Sequence, residues 1–162
     1  MSAERARRRS HGGGSRRRTS CAAALFGARM LLAGCAAGAT SRTPDPRVFD
    51  ALGGALGIER IVDDLLISIS EDPRISHHFA DTNVSRLRGK LIEQFCSQSG
   101  GPCIYTADSM QASHAGHGFA DADFNALVEC LQQSMCAQKV PSAAQNRLLE
   151  RLAPMRADIT YR

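Results

Sequence analysis

The spacing of the apolar residues between positions 58 and 69 constrains the fold of this chain most strongly. Apolar side chains recur here every three or four positions, at Ile58, Ile61, Val62, Leu65, Leu66 and Ile69. Because an α-helix has about 3.6 residues per turn, this spacing places them on one helical face. The pair Asp72-Pro73 then interrupts the pattern, since a residue that precedes proline disfavours helical backbone angles. The sequence therefore predicts one long amphipathic helix that ends at this pair.

The same spacing recurs in three later segments, at residues 84–95, 124–135 and 148–152. A shorter segment at residues 107–115 lies between glycines, and Gly100-Gly101-Pro102 separates it from the second long segment. We expect Asp121 to cap the helix at residues 124–135. We expect Pro154 to kink or end the helix that contains residues 148–152. No segment alternates apolar and polar residues as a half-buried strand does. The predicted fold class is therefore all-α, with about five helices.

Charge divides the chain into two parts. Residues 1–34 hold eight Arg and one Glu, whereas residues 35–162 hold 12 basic and 15 acidic residues. Nucleic-acid binding needs a basic face, so the acidic balance of the second part counts against it. The basic start is followed by an apolar run at residues 21–34, which is the order of an export signal. This run is shorter than the roughly 20 residues that span a bilayer.

The end of the apolar run, Leu32-Ala33-Gly34-Cys35, resembles the bacterial lipobox. This resemblance implies cleavage before Cys35, acylation of its thiol and anchoring to a membrane through lipid. We therefore expect an export signal at residues 1–35, a flexible tether at 36–46, and a domain at 47–162 on the periplasmic side. Arg29 lies inside the apolar run and weakens insertion. In the alternative, the leader is a basic tail and the protein is cytoplasmic.

The remainder of the chain resembles the group I truncated haemoglobins over residues 50–159. The motifs that carry this resemblance occur in order along the chain: Leu52-Gly53-Gly54, Asp72-Pro73-Arg74, Phe79-Ala80-Asp81, Gly100-Gly101-Pro102 and His114-Ala115-Gly116-His117-Gly118-Phe119. Each motif is short, but their order and spacing together are specific. The resemblance implies a two-over-two helical sandwich around a non-covalent haem b. The sequence contains no Cys-x-x-Cys-His motif, so it does not indicate covalent attachment of the haem.

The family's proximal iron ligand falls on His114. A haem ligand must be a neutral imidazole on a segment that can tilt toward the iron, and His114 precedes glycines that free the chain. Met110 lies one helical turn earlier and is expected to pack on the same face of the haem. An alternative is a metal site formed by His114 and His117, although neither Cys nor a further His stands nearby at ligand spacing.

The resemblance also assigns the rest of the haem pocket. Phe79 is expected to wedge against the porphyrin at the distal side. The expected haem contacts are Lys90, Phe95, Tyr105, Met110 and Phe119. Lys90 and Arg86, on the same predicted helix, are candidate partners of the haem propionates, and the alternative for each is an ordinary solvated surface position.

The distal side departs from the family pattern. Many members carry a Tyr and a Gln that donate hydrogen bonds to the bound oxygen, and the aligned positions here are Leu66 and Leu91. The gate position, Leu87, is apolar too. Losing a hydrogen bond to a charged group costs roughly 1.5–3 kcal/mol, so we expect fast oxygen release. Four side chains remain open as substitute donors or as a sixth iron ligand: His77, His78, Lys90 and Gln94. The alternative for the two histidines is a half-exposed position at a helix corner.

The expected function is reversible binding of a diatomic gas, namely oxygen, nitric oxide or carbon monoxide, at a haem iron. Nitric-oxide dioxygenation is a side activity that would need a separate, unidentified reductase. An alternative is a haem-free, anchored helical interaction module. In an exported, oxidising compartment, Cys96 and Cys103 are candidates for a disulfide across the glycine turn. The oligomeric state stays open.

Overall fold

The computed structural model describes residues 45–162, which form seven α-helices and no strand. The helices are α1 (Pro46–Ala51), α2 (Gly54–Glu71), α3 (Val84–Gln98), α4 (Met110–His114), α5 (Asp121–Ala137), α6 (Ser142–Leu152) and α7 (Arg156–Ile159). Short 3₁₀ turns occur at Ser76–Phe79 and Ala153–Met155. The all-α prediction is therefore confirmed.

The predicted leader lies outside the described residues. This applies to the export signal at 1–35, to the acylation candidate Cys35 and to the tether at 36–46 except for its last two residues. Within residues 45–162, no helix is both long and apolar enough to cross a membrane.

Helix α2 is the centre of the packed core, against which α3 and α5 both pack. Its inner face buries Ile58, Ile61, Val62 and Leu65 almost completely. Full burial of one such side chain stabilises a fold by roughly 1.5–3 kcal/mol, so this face provides much of the driving force for folding. The helix begins at Gly54, four residues before the first apolar position, because Gly53 adopts a positive φ of 88° that L-residues avoid.

The turn after α3 brings three parts of the chain together. Gly101 packs so tightly that a Cβ there would overlap the ring of Phe49 in α1 and the sulfur of Cys96. Cys96 and Cys103 form a disulfide across this turn. The bond ties the buried end of α3 to the segment that leads into α4.

Helix α5 begins as the sequence indicates, but with a different cap. The Asp123 carboxylate accepts a hydrogen bond of 2.9 Å from the backbone N–H of Ala120. Asp121, the expected cap, instead accepts a hydrogen bond from Arg156. The capping carboxylate is therefore one that reaches back from the first helical turn, which is the arrangement of a capping box without its N-terminal hydroxyl.

Two helices were not predicted. Helix α1 has six residues and α7 has four, so neither contains enough turns to show a periodic apolar pattern. The cap of α1 is nevertheless visible in the sequence, because Asp45 accepts from the backbone of Arg47 and Pro46 fits the first helical position. Pro154 lies in the 3₁₀ turn between α6 and α7, in agreement with the predicted kink.

Candidate functional site

A cavity of about 670 Å³ lies among α3, α4, α5, α7 and the end of α6. This volume falls in the range of small-molecule and cofactor sites, roughly 300–1,000 Å³. Most of its lining is apolar, with leucines from the four helices α2, α3, α5 and α6 and the rings of Phe79, Phe95, Phe119 and Phe124. The site thus has the size and the chemistry to hold a large, flat, mainly apolar group.

Nine of the ten residues that the sequence assigned to the haem pocket line this cavity: Phe79, Leu87, Lys90, Leu91, Phe95, Tyr105, Met110, His114 and Phe119. They come from the 3₁₀ turn before α3, from α3, from α4 and from the segments that flank α4. A smaller adjoining cavity of about 100 Å³ shares Phe79, Leu87, Leu91, His114 and Phe119 with it.

Leu66 is the exception, because it lines neither cavity. Successive residues on a helix point about 100° apart, and the inner face of α2 follows Ile61, Leu65 and Ile69. Leu65 therefore reaches the cavity, whereas Leu66 packs half-buried against the edge of the core. The structure differs from the prediction here, and Leu65 takes the place of Leu66 in the cavity wall.

His114 is the last residue of α4, and one of its ring nitrogens is already occupied. Its Nδ1 lies 2.7 Å from the backbone carbonyl oxygen of Met110. A carbonyl oxygen only accepts hydrogen bonds, so Nδ1 must carry the proton, and the neutral ring keeps a free lone pair on Nε2. Nε2 has no hydrogen-bond partner in the described part of the chain. This is the arrangement that metal-ligating histidines use to fix the tautomer and orientation of the ring.

Three imidazole rings contact the ring of Phe119 beside the cavity. The ring centroids of His78, His114 and His117 lie 4.5, 5.6 and 5.7 Å from that of Phe119. His117 lines the cavity as well. Across residues 45–162, no group of three or more His, Cys, Asp or Glu side chains is arranged to hold a metal ion, so His114 and His117 lack a third ligand of that kind.

His78 is held by a carboxylate. Its Nε2 lies 3.2 Å from Oδ2 of Asp123. The backbone N–H of Ala120 is the main cause that lowers the pKa of Asp123 below its usual range, and the nearby His78 lowers it further. The Asp123 carboxylate is therefore a stable anion that fixes the position of the His78 ring.

Lys90 lies on the rim of the cavity, where two side chains hold its ammonium group. Nζ donates to both carboxylate oxygens of Glu93 at 3.0 Å and to the hydroxyl of Thr106 at 2.6 Å. The Thr106 N–H also donates to Glu93, and this bond is the first cause that lowers the pKa of the Glu93 carboxyl. Beside this network, burial raises the pKa of the Tyr105 hydroxyl, with the charge of Glu93 adding to the effect.

Two arginines complete the cationic rim and differ in how firmly they are held. Arg156 donates to Asp121 at 2.7 Å and to Asn125 at 2.9 Å, and its guanidinium lies 5.2 Å from the centre of the Phe124 ring. The Arg86 guanidinium lines the cavity but makes no ion pair or side-chain hydrogen bond within residues 45–162. Arg86 is thus the rim cation that is most available to an added anion.

Gln94 contributes a buried carboxamide to an otherwise apolar stretch of wall. Its side chain is only 8% exposed. Nε2 contacts the sulfur of Met155 at 3.2 Å and that of Met110 at 3.6 Å. Gln94 follows Leu87 and Leu91 at helical spacing, so the sequence alone places it on the inner face of α3. The contributions of Met155, in the 3₁₀ turn before α7, and of Arg156 and Ile159 in α7 were missed because both elements are too short to be recognised.

Residues 47–161 match the profile of the family described as "Bacterial-like globin". The chain belongs to this globin family. It is 31% identical over 112 residues to Group 1 truncated hemoglobin GlbN of Mycolicibacterium paratuberculosis, covering 69% of this chain and 82% of that protein. It is 28% identical over 112 residues to GlbN of a Nostoc species, covering 69% of this chain and 95% of that protein.

Solved structures give the same fold. The truncated hemoglobin of Tetrahymena pyriformis in its Fe(III) form superposes with a TM-score of 0.68 at 22% identity, covering 70% of this chain and 97% of that one. The 2/2 hemoglobin of a Synechococcus species superposes with a TM-score of 0.66 at 21% identity, covering 71% and 98%. This globin therefore has the predicted two-over-two fold.

Proposed function

We propose that this globin binds haem b through Nε2 of His114 and reversibly holds a diatomic gas in its cavity. The observation that carries the proposal is the hydrogen bond from His114 Nδ1 to the Met110 carbonyl. This bond prepares Nε2 as a neutral ligand beside a cavity of cofactor size. Haem, when bound, would supply the iron centre that takes up the gas.

The cavity wall fits the two chemical faces of this cofactor. Leucine and phenylalanine side chains would bury the apolar macrocycle, whereas the rim cations would pair with its carboxylates. We propose Arg86 as the first propionate partner, because its guanidinium has five donors and no competing acceptor. Lys90 would have to leave Glu93 and Thr106 to take this role, so it is the second choice.

The apolar wall near Leu65, Leu87 and Leu91 favours gas binding over peroxide chemistry. Cleavage of an O–O bond needs a positioned acid or base, and these three side chains have none. Oxygen, nitric oxide and carbon monoxide all fit such a pocket. Nitric-oxide dioxygenation would further require electrons from a separate reductase, so we propose it only as a side activity.

The proposal is tested by haem titration of the full chain, followed by absorption spectra of the reduced protein with and without carbon monoxide. We expect one haem per chain and a Soret band that shifts when carbon monoxide is added. His114→Ala should weaken haem binding and alter this band. His117→Ala is the matched control, because His117 lines the same cavity and contacts the same Phe119 ring.

An unchanged Soret band in His114→Ala would remove His114 as the ligand. Failure of the unmodified protein to bind haem would reject the cofactor altogether. The alternative, a haem-free anchored module that keeps the globin fold, would then take its place.

We propose further that Cys35 anchors the protein to a membrane through lipid, on the periplasmic side. The lipobox-like residues 32–35 support this, together with the basic and apolar order of the leader. Expression in a bacterial host tests it. The unmodified chain should sediment with membranes and Cys35→Ala should not, whereas equal fractionation of the two would contradict lipidation.

A further inference from the structure

We propose that Tyr161 and Arg162, in the segment after α7, are positioning residues that hold the loop following the iron ligand His114. They act through main-chain hydrogen bonds to residues 116–119, and neither of them lines the cavity. This inference rests on the proposed function, because it concerns how the ligand of the same site is kept in place.

Helix α4 is too small to hold His114 in place through its own packing. It has five residues, buries none of them and ends at His114 itself. The hydrogen bond from His114 Nδ1 to the Met110 carbonyl lies within this helix, so it orients the ring without fixing the helix to the rest of the protein. A ligand keeps its geometry only when the segment that carries it is held as well. The loop after His114 therefore needs an anchor outside α4.

The segment after α7 provides this anchor. The N–H of Tyr161 donates to the carbonyl oxygen of Phe119 at 2.8 Å. The main-chain oxygen of Arg162 accepts from the N–H groups of Gly116 and Gly118 at 3.2 and 3.3 Å. Within residues 107–119, the main-chain hydrogen bonds that reach a distant part of the described chain all go to Tyr161 and Arg162. These two residues thus fasten the loop along most of its length.

The backbone on both sides of this contact has an unusual conformation. Gly116 and Gly118 have positive φ angles of 79° and 65°, and a Cβ at either would meet open space. The backbone conformation, and not close packing, therefore favours glycine at these two positions. Tyr161 has a φ of 58°, which is strained for a bulky residue and persists only where the surrounding structure enforces it. This conformation brings the Tyr161 N–H to Phe119.

The segment after α7 is itself fastened to the packed part of the fold. The Arg162 guanidinium donates to the carbonyl oxygen of Ala157 at 2.7 Å, and the Thr160 hydroxyl donates to that of Arg156 at 3.1 Å. The Arg156 side chain in turn donates to Asp121 of α5 at 2.7 Å, and α5 packs on α2. A continuous set of contacts therefore connects the core to the loop after His114.

The test compares two substitutions at one position, Tyr161→Pro and Tyr161→Gly. Proline lacks the N–H and fixes φ at about −65°, so it breaks the bond to Phe119 and redirects the chain toward Arg162. Glycine keeps the N–H and adopts a positive φ without strain, so it is the matched control. Both variants lose the same phenol ring, which is 70% exposed. Thr160 already has the extended backbone that a residue before proline requires, with φ −80° and ψ 140°.

Two measurements use the haem-loaded full chain. The stretching band between iron and the histidine nitrogen, recorded by resonance Raman spectroscopy of the reduced protein, should broaden in Tyr161→Pro, because the ligand then samples more than one orientation. The band should stay unchanged in Tyr161→Gly. Haem should pass to an excess of a second haem-binding protein about tenfold faster from Tyr161→Pro than from Tyr161→Gly, as expected for the loss of one or two hydrogen bonds.

Two further measurements use the haem-free chain and separate positioning from a general loss of stability. The amide hydrogens of residues 114–119 should exchange faster in Tyr161→Pro than in Tyr161→Gly, because their partners in the segment after α7 are lost. Denaturant unfolding should give the same midpoint for both variants, because the loop can loosen locally while the core around α2 stays packed.

If Tyr161→Pro fails to fold, Tyr161→Val provides the same test, because it keeps the N–H but its β-branched side chain avoids a positive φ. It should broaden the band in the same way. Equal bands and equal haem loss in the proline and glycine variants would overturn the inference and leave the proposed function intact. A lower unfolding midpoint with an unchanged band would overturn it too, since the role would then be structural. Failure of the unmodified protein to bind haem would remove both.

Discussion

The helices around α2 and the helices around α4 are held in place by different means. Helix α2 buries six residues between α3 and α5, and the largest of them are nearly inaccessible to solvent. Helix α4 has five residues, buries none, and packs mainly on α7, which buries none either. The region around α2 is stabilised by its own packing, whereas the region around α4 borders the large cavity. We therefore expect the order of the region around α4 to depend more on an occupant of the cavity than the order of the region around α2 does.

The largest expected difference between the two regions is in the cost of shortening a leucine, and α6 offers one leucine in each region. Leu148 belongs to the core and is 1% exposed, whereas Leu152 is half-buried and lines the cavity. We expect Leu148→Ala to lower the free energy of unfolding by about 2–5 kcal/mol, as for other buried leucines. Leu152→Ala should cost less than about 1 kcal/mol in the haem-free protein, because its neighbourhood already lacks packing. Denaturant unfolding measures both, and equal costs would break the comparison.

Haem binding should protect the region around α4 more than the region around α2. A ligand that binds only the folded state adds about 4 kcal/mol of stability when its concentration is 1,000 times the dissociation constant. We expect residues 103–119 to exchange their amide hydrogens much more slowly once haem is bound. Haem also slows the exchange that requires global unfolding, so the comparison uses short labelling times, at which residues 58–69 of α2 should already be protected without haem. Equal slowing in both segments, measured by mass spectrometry, would argue against separate sources of order.

The disulfide joins the two regions and gives the next largest effect. It closes a loop of eight residues between α3 and the segment before α4. Loop entropy predicts a loss of about 2.5 kcal/mol in the free energy of unfolding when the bond is removed. The double replacement Cys96→Ala and Cys103→Ala should match the reduced, unmodified protein in thermal denaturation. No difference between oxidised and reduced protein would show that the connection contributes no stability.

The smallest expected effect is on the stability of the fold at low pH, at the end of α2. The Arg74 side chain lowers the pKa of Asp72 to about 2, and the Cys130 thiol hydrogen-bonds to the same carboxylate. Because the folded pKa lies below the unfolded value of about 4, this pair stabilises the fold above pH 4 and loses its effect as the pH falls toward 2. We expect Asp72→Asn to flatten part of the acid unfolding curve.

Asp81→Asn is the control for that measurement, since Asp81 is exposed and makes no ion pair in the described residues. It should leave the acid unfolding curve unchanged. A control curve that flattens as much as the Asp72→Asn curve would assign the effect to general charge instead of to the pair with Arg74.

The sequence predicted the packed region better than the cavity. The spacing of Ile58, Ile61, Val62 and Leu65 requires a helix, and burial follows directly from that spacing. Leu66 shows the limit of the method, because alignment to a family position does not determine which of two neighbouring leucines faces a cavity. The structure resolves this through the angle between successive helical residues.

Gln94 and α7 show a different limit. The periodic pattern identifies Gln94 as an inward position, but only three-dimensional contacts reveal that its amide meets two sulfurs and no stronger acceptor. One of those sulfurs belongs to Met155, just before a helix too short to be predicted. The polar content of a cavity depends on which distant segments meet there, and local sequence patterns do not encode that.

Resonance Raman spectroscopy of the reduced, haem-loaded protein can identify the iron ligand without any measurement of gas binding. The stretching vibration between iron and a histidine nitrogen reports the proximal ligand itself. We expect this band in the unmodified protein and in His117→Ala, and we expect it to be absent in His114→Ala. A band that persists in His114→Ala, or that disappears only in His117→Ala, would contradict the assignment of His114 as the ligand prepared by the Met110 carbonyl.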